Sequence, residues 1–199
     1  MTALTTAELE DAVIEYERQE PFATVEAERL ESMPEAFADG SYNWKDVEWV
    51  VRWFGRRRRT SAVHPAEEAF RTNDWGDVQD AIGTALEAID HTDDAERSPP
   101  PQTEIEQLLE ALTDLEGFDV PVTSALLFYA DPGRYLVIDD RLWKAVVNAG
   151  ALEEGSSTPD PFDAVSYHQY LEACHELRTE HDITMVGLYR ALWRVSSPE

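Results

Sequence analysis

An all-α fold is predicted by three observations. Nearly every segment places apolar residues three and four apart, helix-start residues precede several of these segments, and nothing shows the even turn spacing of an all-β domain. At 199 residues the expectation is one domain over 1–199, a helical bundle able to hide roughly two-thirds of the unfolded chain's surface.

Thr5 or Thr6 caps a first helix carrying Leu9, Val13, Ile14 and Tyr16, and Pro21 opens a second that runs through Val25 and Leu30 to end near Pro34. Ser41 or Asn43 starts a third, with Trp44, Val47, Val50, Val51 and Phe54 on one face and Gly55 as its stop. Val78, Ala81, Ile82, Ala85, Leu86 and Ile89 form the face of the next. A polar, proline-rich loop spans about 90–102. Thr103 and Glu106 then read as a capping box for a helix bearing Leu108, Leu109, Leu112 and Leu115, closed by Gly117. Pro121 fits the first turn of "PVTSALLFYA". "YLVI" is a strand or an extended entry to the helix after Asp139 and Asp140, and a second polar loop covers about 150–162. Two helices close the chain, around Tyr167, Tyr170, Leu171 and Cys174, and around Met185, Leu188, Tyr189, Leu192 and Trp193.

The formal net charge is −25, and Lys45 and Lys144 are the only lysines. Such acidity often marks disorder, but six tryptophans and 43% hydrophobic residues argue for a packed core. The balance suggests adaptation to high internal salt. Acidity disfavours a phosphate partner, but concentrated salt screens that repulsion and weakens phosphate contacts alike, so charge alone does not choose the partner. Cys174 is the only cysteine, which excludes an intrachain disulfide and argues against a cysteine-held iron–sulfur cluster. No apolar run approaches the roughly 18 residues of a membrane span, and the first residues lack the features of a signal peptide. A soluble, cytoplasmic protein is expected, with no membrane partner and no cofactor.

Leu115 to Val146 reads "LEGFDVPVTSALLFYADPGRYLVIDDRLWKAV": helix, Gly-containing turn, helix, extended connection, Asp, helix. This arrangement resembles the core of the helix-hairpin-helix DNA glycosylases, over about 103–149 at most. Leu115, Gly117 and Phe118 match the start of the family's hairpin, Thr123–Ser124 stand where it has Thr-Ala, and Ile138–Asp139 stand for its Val-Asp. The resemblance implies DNA as partner and Asp139 as the catalytic carboxylate. It also implies backbone or phosphate contacts from Gly117, Thr123, Arg141 and Lys144. Asp119 replaces the second hairpin glycine, and Val122 stands where lyase-competent members carry a lysine, so the implied activity is monofunctional base excision. A carboxylate at a helix N-terminus would stabilise the positive charge that builds on the sugar, with the extruded base held in an apolar pocket. Asp139 carries the chemistry in this reading and Asp140 caps or tunes it, with Tyr135 and Trp143 as further pocket candidates. Aspartate is also among the best N-cap residues, so one of the pair is expected without any function.

Arg52 and Arg56 to Arg59 form the one basic block. They suit phosphate contact, with Trp49 or Trp53 to stack a base, or else they pair with neighbouring acids. His168, Glu172, His175 and His181 read as helix-surface residues rather than metal ligands, and His64 is ambiguous. The alternative to an enzyme is a catalytically inactive helix-hairpin-helix-like module that binds nucleic acid or protein.

Overall fold

The computed structural model describes residues 4–57, 63–89, 98–153 and 157–196. Among them are ten α-helices and no strand: α1 (Thr6–Gln19), α2 (Ala23–Ala38), α3 (Trp44–Arg56), α4 (Pro65–Phe70), α5 (Trp75–Ala88), α6 (Gln102–Leu112), α7 (Val120–Ala130), α8 (Asp140–Ala149), α9 (Ala164–His181) and α10 (Met185–Val195). No described helix is long and apolar enough to cross a membrane.

The bundle is organised around α7. Nine of its eleven residues are buried, from Val120 to Tyr129, and a helix that is apolar on all sides belongs in the centre of a core. α2, α3 and α6 pack on it, α9 and α5 pack on α6, and α1 lies along α10. That last pairing is charged as well as apolar. Arg190 reaches Glu17 and Glu26, and Arg194 reaches Glu15 and Glu20.

Several helix starts follow the expected chemistry. Thr5 with Glu8 and Asn43 with Asp46 form complete capping boxes on α1 and α3. Others differ, each for a physical reason. α2 continues through Pro34 to Ala38, because Met33 and Phe37 on either side of the proline are both buried and hold the last turn in place. Gly55 lies inside α3, not after it. A Cβ there would come within 2.4 Å of the His64 Cβ, so the glycine admits a close crossing. Thr103 and Glu106 form no capping box, since α6 starts at Gln102 behind Pro101. α4 is an additional short helix, opened by Pro65 with His64 as its cap. Ile14 is exposed while Ala12 is buried, so the inner face of α1 is rotated from the one expected.

"YLVI" is neither strand nor surface loop. After a turn that ends at Arg134, residues 135–138 cross the core with no regular secondary structure, and every side chain from 134 to 138 is buried. With no strand beside it among the described residues, side chains supply partners for several of its backbone groups. Tyr167 Oη donates to the Leu136 carbonyl at 3.1 Å and Tyr170 Oη to that of Val137 at 2.9 Å, while the Ile138 N–H donates to Ser124 Oγ at 3.0 Å. His175 Nε2 lies 2.9 Å from the Arg134 carbonyl and must donate to it. This packing delivers Asp139 to the start of α8.

Candidate functional site

Asp139 is the N-cap of α8. Its Oδ1 accepts from the N–H groups of Arg141 at 2.9 Å and Leu142 at 2.8 Å. Oδ2 accepts from Arg57 Nη2 at 2.6 Å, and the two side chains are only 3% and 4% exposed. The capping role therefore falls to Asp139, whereas Asp140 is the first helical residue and is exposed.

Arg57 leaves the end of α3 and turns inward. Its guanidinium lies over Phe54, Trp53 and Trp193 at 4.6, 5.2 and 5.1 Å, and its Nε donates to the Phe54 carbonyl. Burial works against the charge on Arg57, but the carboxylate of Asp139 outweighs it and raises the pKa above the ordinary arginine value. Deeper still, Tyr16 donates to Glu26 at 2.7 Å and Arg190 approaches its other oxygen at 3.4 Å. Burial lifts the Glu26 carboxyl above its usual range against both of these partners.

Above Asp139 opens a cleft of about 570 Å³. Phe54 and Gly55 of α3 and His64 form one wall, and Asp119, Val120 and Pro121 at the start of α7 form another. Asp139 and Asp140 close the third side, and residues 158–162 the fourth. Asp119 and Asp139 cap the two helices that point into the cleft, so their carboxylates offset both helix dipoles. No arginine or lysine lines it among the described residues.

The remaining predicted site residues are scattered. Tyr135 does not face the cleft; it is fully buried and donates to Glu104, which Arg134 also grips with both terminal nitrogens at 2.9 and 3.0 Å. Trp143 is buried behind Phe162 and Tyr170, borders a separate hollow with Glu172 and Glu176, and reaches the cleft only through Phe162. Thr123 is fully buried inside α7. Gly117 has φ +86°, but the space a Cβ would fill holds the Ala66 carbonyl oxygen at 2.6 Å and the Phe70 nitrogen at 2.8 Å. Asn73 clasps the same turn, accepting from the Glu116 N–H and donating to its carbonyl, both at 2.9 Å. The turn around Gly117 is thus packed against α4, a neighbour not anticipated from sequence.

Arg56 grips the buried Glu67 through Nε and Nη2 at 3.1 and 3.0 Å, with Arg52 at 3.8 Å. Arg141 stacks on Trp193 at 3.7 Å and donates to Ser196 and to the Trp193 carbonyl. Trp49 and Trp53 pack against Tyr129 as core aromatics. Lys144 is exposed on α8. Arg58 and Arg59 lie outside the described residues. No group of His, Cys, Asp and Glu able to hold a metal is present among the described residues. Of the predicted set, Asp139 and Asp140 meet at the cleft and Arg57 lies beneath it. His64, left ambiguous by the sequence, joins them at the cleft, as do Phe54, expected only as part of a helix face, and Phe162, which no sequence signal singled out. The chain matches no protein-family profile, no curated protein and no solved structure.

Proposed function

We propose that the chain is a protein-binding module whose binding site is the cleft above Asp139, with Asp139 itself structural. One observation carries this reading: Oδ1 holds two backbone N–H groups and Oδ2 a buried guanidinium, on a side chain 3% exposed. A carboxylate that stabilises charge on a sugar must be free to approach it. Freeing Asp139 would strand Arg57 in an aromatic nest, a loss of about 3–5 kcal/mol for a broken buried pair. The surroundings agree. Arg52, Arg56, Arg57 and Arg141 have partners within the protein, and the turn around Gly117 packs on α4.

A test compares Asp139→Asn with Asp140→Asn for binding of partner-derived peptides and for cleavage of lesion-containing duplexes across salt. The binding reading expects Asp140→Asn to weaken peptide binding and neither protein to cleave DNA. Strand or base release by the wild type, abolished in Asp139→Asn with the fold intact, would overturn it.

A second reading, monofunctional base excision, is favoured by the position of the cleft. It lies directly above the helix-terminal aspartate, and its volume is within the roughly 300–1,000 Å³ range of ligand pockets. The same duplex panel decides between the two.

A further inference from the structure

We propose that Glu26 is a proton-operated switch that sets how the guanidinium of Arg190 is shared between α1 and α2, an inference independent of the binding reading above. Three features of the interior carry it.

The first is the setting of the carboxyl. Glu26 is fully buried in the first turn of α2, against side chains of α1, α3 and α10. Tyr16 Oη donates to its Oε2 at 2.7 Å. Its cationic partner is Arg190, whose Nε lies 3.4 Å from Oε1, longer than the roughly 2.7–3.2 Å of a sound N–H···O bond. An ionised carboxylate this deep is costly unless it is fully paired, whereas its neutral form costs far less.

The second is the sharing of Arg190. Its Nη1 lies 2.8 Å from Glu17 of α1, so one guanidinium serves carboxylates on two helices. Glu17 is 54% exposed and keeps its water, and it also has the shorter contact. A proton on Glu26 removes the claim of α2 and leaves the arginine to Glu17. The ties between α1 and α10 then survive, through Glu17 and through Arg194 with Glu15 and Glu20, while the ionic tie from α2 to α10 is lost.

The third is the balance of the surrounding groups. Burial pushes the Glu26 carboxyl above its usual range, against the hydrogen bonds of Tyr16, Arg190 and Trp53, the charge of Arg190 and the N-terminal dipole of α2. Burial, and after it the Glu26 charge, raises the phenols of Tyr129 on α7 and Tyr189 on α10, so both stay protonated and supply no charge. Arg57, at the end of α3, acts on the same phenols but is paired with Asp139. Arg29, one turn along α2, is held by Asp46 at 2.8 Å. Glu17, Glu26 and Arg190 thus set the local charge: two acids and one base.

The test titrates the full chain by NMR from about pH 4 to 9 in about 1 M sodium chloride, where diffuse charge is screened. The side-chain carboxyl carbon of Glu26 should titrate with a midpoint above the ordinary 4.5. The Arg190 Nε–H and Trp53 indole N–H signals should move with the same midpoint and stay fixed in Glu26→Gln. Glu17→Gln, an exposed change that leaves Arg190 to Glu26, should lower the Glu26 midpoint by about half a pH unit or more. Glu31→Gln, exposed on the same helix, should move it by less than about a fifth of a unit. A Glu26 carboxyl that keeps one state across the range, or titrates at or below 4.5, overturns the proposal. An Arg190 signal that still titrates in Glu26→Gln overturns it too, by assigning the movement to another group. So does a Glu17→Gln midpoint that moves no further than that of Glu31→Gln, a comparison that holds even if Glu26→Gln fails to fold.

Discussion

Arg57 Nη2 and Asp139 Oδ2 lie 2.6 Å apart although 82 positions separate them in the chain. This buried ion pair ties the end of α3 to the start of α8, so it joins the two walls of the cleft from below. Its strength is best tested by removing one partner at a time.

Asp139→Ala should destabilise the fold by about 3–5 kcal/mol from the stranded guanidinium and about 1 kcal/mol more from the lost cap. Asp139→Asn keeps an oxygen for the cap and should cost less. Arg57→Met should also be costly alone, yet the double variant Asp139→Asn with Arg57→Met should lose clearly less than the sum, because no unpaired charge is then left inside. Urea denaturation of the four proteins measures this, and strict additivity would show that the pair is not coupled.

His175 makes the fold sensitive to mild acid. Burial lowers its pKa below the ordinary 6.5, and its Nε2 is committed to the Arg134 carbonyl. Above pH 6.5 the ring is neutral in both folded and unfolded chains, so the full stability is present. As pH falls through 6.5 the unfolded chain takes up a proton that the folded one resists, and stability declines until the folded pKa is passed. Denaturation midpoints between pH 7.5 and 5 should therefore fall, and His175→Gln should flatten that slope. An unchanged slope in the variant would assign it to other groups.

Salt should stabilise the protein. With a net charge of −25, self-repulsion opposes the compact state, and the screening length shrinks from about 10 Å at 0.1 M to about 3 Å at 1 M salt. Thermal unfolding temperature should rise steadily with sodium chloride over this range. A flat or falling curve would mean that local ion pairs such as Arg56–Glu67 matter more than overall repulsion.

Two glycines with similar backbone angles should respond differently to alanine. Gly40 has φ +73° with open space around it, so Gly40→Ala should cost about 1–2 kcal/mol of backbone strain alone. Gly117→Ala adds a clash with the α4 backbone at 2.6 and 2.8 Å and should cost distinctly more. Comparable midpoints for the two variants would argue against close packing of the turn on α4.

Helical faces were legible because they depend on local spacing. Val47, Val50, Val51 and Phe54 are all buried, and Thr5 and Asn43 cap where such residues are expected to. What was not legible depended on distant partners. Gly55 resembles a helix stop until His64 is seen crossing it, and Pro34 resembles an end until the burial of Phe37 is known. The site divided in the same way. That one aspartate of 139–140 caps α8 was readable from the pair, but the guanidinium beneath it belongs to α3, and no periodicity connects the two. Tyr135 is next to Arg134 in sequence, and the pull of Glu104, 31 positions away, turns it from the cleft.

The side-chain-held segment 134–138 also governs how the protein opens. The Ile138 amide is bonded to a hydroxyl of α7, and the carbonyls beside it to phenols of α9, so none can be released by fraying a single helix. Exchange of the Ile138 amide hydrogen with solvent requires α7 and α9 to part, which makes that proton a reporter of global unfolding in a stretch that has no regular secondary structure.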